Sequence, residues 1–244
     1  MKLNLRVPIF FFLFLLSTDY SISQEYNLGV VHFPPFSVID EDNNLAGLFK
    51  DMTKVLDHSG IKYKIDGYPL KRIYRGLKTG DINIFIGVKD KALDRFVLYS
   101  NIGLITIDLS VFTRGDVVMP QNYRDLKKKK FIVLRGYTYG GLINFLKNPA
   151  NKITLEPTSN HGDALKMLKA KRADYIIDYK LPLSMSCKNI YPDCKGIYNR
   201  SLNKVKLYFL VSKRSKNAAT LMKKIVNSFS ILKKNGVINY ESNI

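Results

Sequence analysis

Three arginines, a group of aromatic residues and one carboxylate are the side chains in this sequence best suited to holding a small charged molecule. Arg72, Arg95 and Arg135 each carry a planar guanidinium that can grip a carboxylate through two parallel hydrogen bonds. Asp178 has the complementary charge and can accept from an ammonium group. Phe33, Phe36, Tyr137 and Tyr139 offer flat apolar faces, with a polar tip on the tyrosines. Tyr137, Thr138 and Tyr139 lie between Gly136 and Gly140, in a turn whose backbone amides can face an anion. Gly87 leaves its backbone open to close approach.

The patterns that mark common catalysis are missing. The sequence contains no G-x-S-x-G, no phosphate-binding loop, no H-E-x-x-H and no G-x-G-x-x-G. His32, His58 and His161 are far apart and lack metal-ligand spacing, so they read as surface or strand-end residues, and neither metal nor cofactor is expected. Glu41 and Asp42 read as turn residues.

The order of elements explains why the first group of residues should converge. Tyr26–His32 alternates as a strand, Leu45–Asp57 has helical spacing ending at Gly60, and Ile61–Ile65 alternates again. Pro69 opens a helix over Leu70–Lys78, Gly80 closes it, and Ile82–Val88 is the continuous apolar run of a strand buried on both faces. The same β-α-β-α-β order recurs in Phe131–Leu134, Gly140–Lys147, Ile153–Glu156, His161–Ala170 and Tyr175–Ile177. Two β-rich segments, Leu109–Thr113 and Val205–Ser212, follow the two units, and a helix over Ala218–Lys234 comes last. In open α/β sheets ligands bind beyond the carboxyl ends of the strands. Phe33-Pro34-Pro35-Phe36, the Arg72 segment, Gly87 to Arg95, Arg135 to Gly140, and Asp178 with Tyr179 all occupy such ends.

The beginning of the chain reads as an export signal. Lys2 and Arg6 precede the apolar stretch Val7–Leu16, and Ser21 and Ser23 have the small-residue spacing of a cleavage site, which places the cut after Ser23. The apolar stretch covers about ten residues where a bilayer span needs roughly 20. A cleaved, periplasmic protein is expected. The net charge of +19 directs attention to anionic partners, while export argues against nucleic acid. Lys127–Lys130 is the longest cationic run and reads as a solvated turn before a strand. Cys187 and Cys194 would pair in an oxidising compartment, closing a short loop that holds Pro192 and Asp193.

Five segments together carry a resemblance. They are Phe33-Pro34-Pro35-Phe36, Leu45-Ala46-Gly47-Leu48-Phe49-Lys50-Asp51, Leu77-Lys78-Thr79-Gly80-Asp81-Ile82-Asn83, Leu98-Tyr99-Ser100-Asn101 and Ala173-Asp174-Tyr175-Ile176-Ile177-Asp178. In order behind an export signal, they resemble a divergent branch of the family 3 extracellular solute-binding proteins, the polar amino-acid receptors of bacterial ABC transporters. The resemblance implies a two-lobed, type II periplasmic-binding-protein-like α/β fold. It places lobe 1 at 24–112 and 206–244, lobe 2 at 113–205, and hinge crossings at Val111-Phe112-Thr113 and Leu207-Tyr208-Phe209. It implies a monomer that closes on a small polar ligand, an amino acid or related carboxylate, and a transporter membrane component as partner. Arg95, in Ala92-Leu93-Asp94-Arg95 where the family carries Thr-x-x-Arg, or else Arg72, would hold the ligand carboxylate. Two alternatives on the same scaffold stay open: an exported enzyme like the cyclohexadienyl dehydratases, and a stand-alone sensory receptor.

Overall fold

The structure is a computed structural model that describes residues 24–191 and 194–238. The expected export signal at 1–23 lies outside the described residues, as do Pro192 and Asp193 of the cysteine loop. In chain order the elements are β1 (Glu25–Val30), β2 (Val38–Ile39), β3 (Leu45–Ala46), α1 (Lys50–His58), β4 (Lys62–Gly67), α2 (Leu70–Thr79), β5 (Ile84–Val88), β6 (Val97–Tyr99) and β7 (Ile105–Arg114). They continue with β8 (Lys130–Leu134), α3 (Leu142–Lys147), β9 (Thr154–Thr158), α4 (His161–Lys169), β10 (Tyr175–Tyr179), α5 (Lys180–Ile190), β11 (Ile197–Ser212) and α6 (Ala218–Lys234).

Local sequence explains most of these elements. Every residue of β5 is buried, as its unbroken apolar run requires of a central strand with both faces covered. Helix α2 buries Ile73, Gly76 and Leu77 and turns its basic residues outward, and Gly80 ends it in the left-handed conformation at φ +93°. The helix read from Leu45 starts instead at Lys50. Leu45–Ala46 pairs with Val38–Ile39, and Gly47 at φ +86° separates that pairing from the helix.

The sheet runs β4-β1-β5-β11-β7-β10-β8-β9, with β6 also on β11. Strand β1 is parallel to β4 and β5 in one half, and β8 is parallel to β9 and β10 in the other. The halves are joined by β7 and β11, which pair antiparallel from Ile105 to Arg114 and from Ile197 to Leu207. Along β11, Leu207–Val211 also pairs with β5; along β7, Leu109–Thr113 also pairs with β10. Both strands therefore change neighbours over Ile105–Leu109 and Asn203–Leu207, where a register shift falls between Ser201 and Asn203. The fold is thus an α/β architecture of two lobes connected by two long strands. Helix α6 returns to the first lobe, where it meets α1 and where Phe229 packs edge-on to Phe209 at 6.1 Å.

A disulfide joins Cys187, on α5, to Cys194, with the Cα atoms 5.5 Å apart. Closing so short a loop removes little entropy from the unfolded chain. Changing both cysteines to serine should lower stability by about 2–3 kcal/mol in a urea titration. Thiol titration of the denatured, unreduced protein should find no reactive cysteine; two reactive thiols would contradict the link. Among the described residues, no helix is long and apolar enough to cross a membrane.

Candidate functional site

The first wall of the site is the turn after β1. Phe33 N–H donates to Ser37 O at 2.8 Å, and Ser37 Oγ donates to Val31 O at 2.6 Å, so the Phe-Pro-Pro-Phe segment is tied at both ends. Gly47 lets a second segment press against it: Leu48 N–H donates to Pro35 O at 3.1 Å and Phe49 N–H to Phe36 O at 2.6 Å. A Cβ at position 47 would stand 2.5 Å from Pro35 O, so only glycine permits this approach. Phe33 is thereby aimed at the opposite lobe. Phe36 is not. It is fully buried behind Phe33, with ring centroids 5.0 Å apart, and packs on Phe49 at 5.8 Å as part of the lobe 1 core.

The second wall is the turn after β8, which positive φ values at Gly136, Tyr139, Gly140 and Gly141 fold tightly. Tyr139 is buried, and its hydroxyl accepts from Leu134 N–H at 2.7 Å, so it braces the turn from inside. Tyr137 emerges on the cleft side. Its ring lies 5.9 Å from Phe33 and 6.2 Å from Tyr179, and Tyr179 lies 5.5 Å from Phe33. One aromatic residue of lobe 1 thus meets two of lobe 2.

Around this contact is a cavity of about 60 Å³. Phe33, Tyr74, Phe85 and Gly87 line it from lobe 1; Tyr137, Thr138 and Tyr179 line it from lobe 2; Ile107 and Leu207 of the connecting strands form part of its wall. None of its lining residues is charged. Burial pushes the phenols of Tyr74, Tyr137 and Tyr179 far above the ordinary tyrosine range, and the charge of Asp178 adds to the effect at Tyr137. These groups are neutral hydrogen-bonding tips at any ordinary pH. Thr138 Oγ1 is buried without a hydrogen-bond partner, although it lies close enough to the Tyr74 hydroxyl to oppose the rise in that phenol's pKa.

The arginines are placed differently from the aromatics. Arg72 is exposed, with its guanidinium 4.5 Å over the Tyr68 ring. Arg95 is exposed in the turn between β5 and β6. Neither lines the cavity. Arg135 is also exposed, but it lines the grooves that flank the cavity on the lobe 2 side.

Asp178 lies one position before Tyr179 on β10, and the alternation of a strand turns the two side chains to opposite faces. Tyr179 reaches the cavity. Asp178 is fully buried: its Oδ2 is 2.6 Å from His161 Nδ1, and its Oδ1 accepts from Tyr179 N–H at 2.8 Å. The cation expected beside this buried carboxylate, a ligand ammonium or a lysine or arginine, is replaced by a histidine. His161 itself, read as a surface or strand-end residue, is buried at the first position of α4 because the helix start sits over the end of β10.

Tyr74, Phe85 and Tyr179 are among the cavity residues that sequence reasoning does not single out. Tyr74 and Phe85 were absorbed into the amphipathic and apolar patterns of α2 and β5. Tyr179 was noted at a strand end, yet its acidic neighbour drew the assignment.

No family model matches the sequence, and no curated protein matches it. Solved structures do. A histidine kinase sensor domain with similarity to periplasmic binding proteins superposes with a TM-score of 0.74 at 18% identity, over 88% of this chain and 92% of that one. A mutant of the arginine-binding protein ArgBP from T. maritima gives 0.70 at 22% identity, over 88% and 91%. The substrate-binding protein of an amino-acid ABC transporter gives 0.69 at 18% identity, over 87% and 95%. At these identities the likeness is one of fold: the chain has the two-lobed α/β architecture of periplasmic binding proteins, with its cavity at the junction of the lobes.

Proposed function

We propose that this chain is an exported solute-binding protein that captures a small polar ligand by closing its lobes, without catalysis. The observation that carries the reading is the composition of the cavity wall: Phe33, Tyr74 and Gly87 come from one lobe, and Tyr137, Thr138 and Tyr179 from the other. A ligand touching both sets gains contacts in the closed state that either lobe alone lacks, and that difference is what drives closure. The solved substrate-binding protein of an amino-acid transporter supports delivery to an ABC-transporter membrane component. The sensor-domain likeness favours a second reading, in which the same closure is a signal rather than a step in transport.

The proposed ligand is a small carboxylate or a related molecule. A free amino acid held here would place its ammonium against the aromatic faces and phenol oxygens of the wall rather than against a carboxylate. The cavity wall has none, and Asp178 is already held by His161. A thermal-shift screen against amino acids, small carboxylates and sugars tests the reading. A ligand at a hundredfold excess over its Kd should stabilise by about 2.7 kcal/mol. For a protein of this length that is a rise in Tm of roughly 5–10 °C. The same ligand should reduce the radius of gyration in X-ray scattering. A scattering profile unchanged at proven saturation would defeat capture by closure.

A further inference from the structure

Beside the uncharged cavity, and continuous with it through Tyr74, Tyr137 and Thr138, runs a groove of about 830 Å³ between the lobes. Lys71, Arg75 and Lys78 line it from lobe 1, and Arg135 and Lys147 line it from lobe 2, against the single carboxylate of Asp90. The first three are spaced i, i+4, i+7 along α2, so they form one stripe on that helix. Among the described residues, none of the five forms a salt bridge. Like charges on opposed walls repel when the walls approach, so a negative molecule between them favours closure. Thr138 Oγ1, buried without a hydrogen-bond partner where cavity and groove meet, gives such a molecule a polar contact at the junction.

We infer that this groove is an anion-binding arm of the ligand site, taking a small organic molecule with at least two negative charges whose uncharged part enters the aromatic cavity. The inference rests on the capture reading above and adds the ligand class. The anion bridges the α2 stripe and Arg135, removes the repulsion between the lobes, and so shifts the open–closed equilibrium further toward the closed state the more negative the ligand is. Polycarboxylates and phosphate esters share this chemistry, and the experiment separates them.

The test is calorimetric titration at low ionic strength with citrate, glycerol 3-phosphate and L-glutamine, followed by X-ray scattering of each mixture. Citrate or glycerol 3-phosphate should bind and contract the protein, and the tighter of the two identifies the source of the charge. Arg75→Gln and Arg135→Gln should each weaken that anion about tenfold, whereas Lys223→Gln/Lys224→Gln, two exposed lysines on α6, should leave it unchanged. Equal losses in all these variants would show only a general effect of net charge and overturn the inference. So would the failure of both anions to bind. If L-glutamine contracts the protein and neither anion does, the anion arm is wrong and capture by closure stands. If no compound of the wider screen contracts it, both fall.

Discussion

His161→Ala is expected to lower stability by about 3 kcal/mol while leaving ligand affinity within twofold. The Asp178 carboxyl has no exposure, and the His161 side chain is only 11% exposed, so water cannot replace the imidazole when it is removed. A carboxylate accepts hydrogen bonds and cannot donate them, so the 2.6 Å contact places a proton on His161 Nδ1. Without that donor, Asp178 keeps one backbone N–H for two oxygens, in a setting where an unmatched charge is costly. For a chain of this size the loss corresponds to a fall in Tm of roughly 6–12 °C. Asp178→Ala should also destabilise. The double variant should lose less than the two single losses combined, with a coupling energy of about 1–3 kcal/mol, because the pair fails as a unit. The reverse pattern would show that Asp178 faces the ligand: affinity for an amino acid lost at least tenfold, with the melting temperature intact. Differential scanning calorimetry beside calorimetric titration separates the two outcomes.

The contrast between Asp178 and Tyr179 shows where a sequence stops being informative. That β10 is a buried strand was legible, because Tyr175–Ile177 is apolar and follows a helical segment. Which of its last two residues faces the cleft depends on the parity of a strand whose two faces are both covered, and an unbroken apolar run conceals parity. Polarity alone favoured Asp178, and the partner that satisfies it lies 17 positions upstream on α4. The arginines divide for a related reason: Arg135 lines the groove beside the cavity, whereas Arg72 and Arg95 line neither cavity nor groove. Their chemistry suits an anion anywhere, but whether a long flexible side chain reaches a cavity is settled by tertiary placement. Phe33, Tyr137 and Gly87 were more accessible to reasoning, since turns at the carboxyl ends of parallel strands converge whatever the details of packing. At the level of elements, α2 and α6 follow from their apolar spacing, and the glycine after α2 fixes its end. Helix α5 had no such signal: Pro182 lies in its first turn, and serines and a cysteine weaken its propensity, so packing of Leu183 and Cys187 against α4 has to hold it. β6, only three residues long, is a strand because β11 lies beside it.

Phe33→Ala is expected to have the largest effect on motion. Phe33 belongs to lobe 1 by its backbone bonds to Ser37, yet its ring meets Tyr137 and Tyr179 of lobe 2 at 5.9 and 5.5 Å. It is 7% exposed, so most of its apolar surface is withdrawn from water, part of it only while the lobes are together. Truncating a buried phenylalanine typically costs about 3–5 kcal/mol. Here part of that loss falls on the equilibrium between closed and open lobes rather than on folding, because the stacking partner within lobe 1, Phe36, stays in place against Phe49. If about 1.4 kcal/mol falls on closure, the closed-to-open ratio drops tenfold, and apparent ligand affinity drops by up to the same factor. The ligand-free variant should scatter with a larger radius of gyration than wild type, and saturating ligand should restore the compact profile. Phe36→Ala supplies the contrast. It removes a core ring that touches no residue of the cavity wall on lobe 2, so it should lower the melting temperature without lengthening the ligand-free molecule. If Phe33→Ala instead melts early and keeps the wild-type scattering profile, the ring is a lobe 1 core residue and the closing contact must be sought elsewhere on the wall.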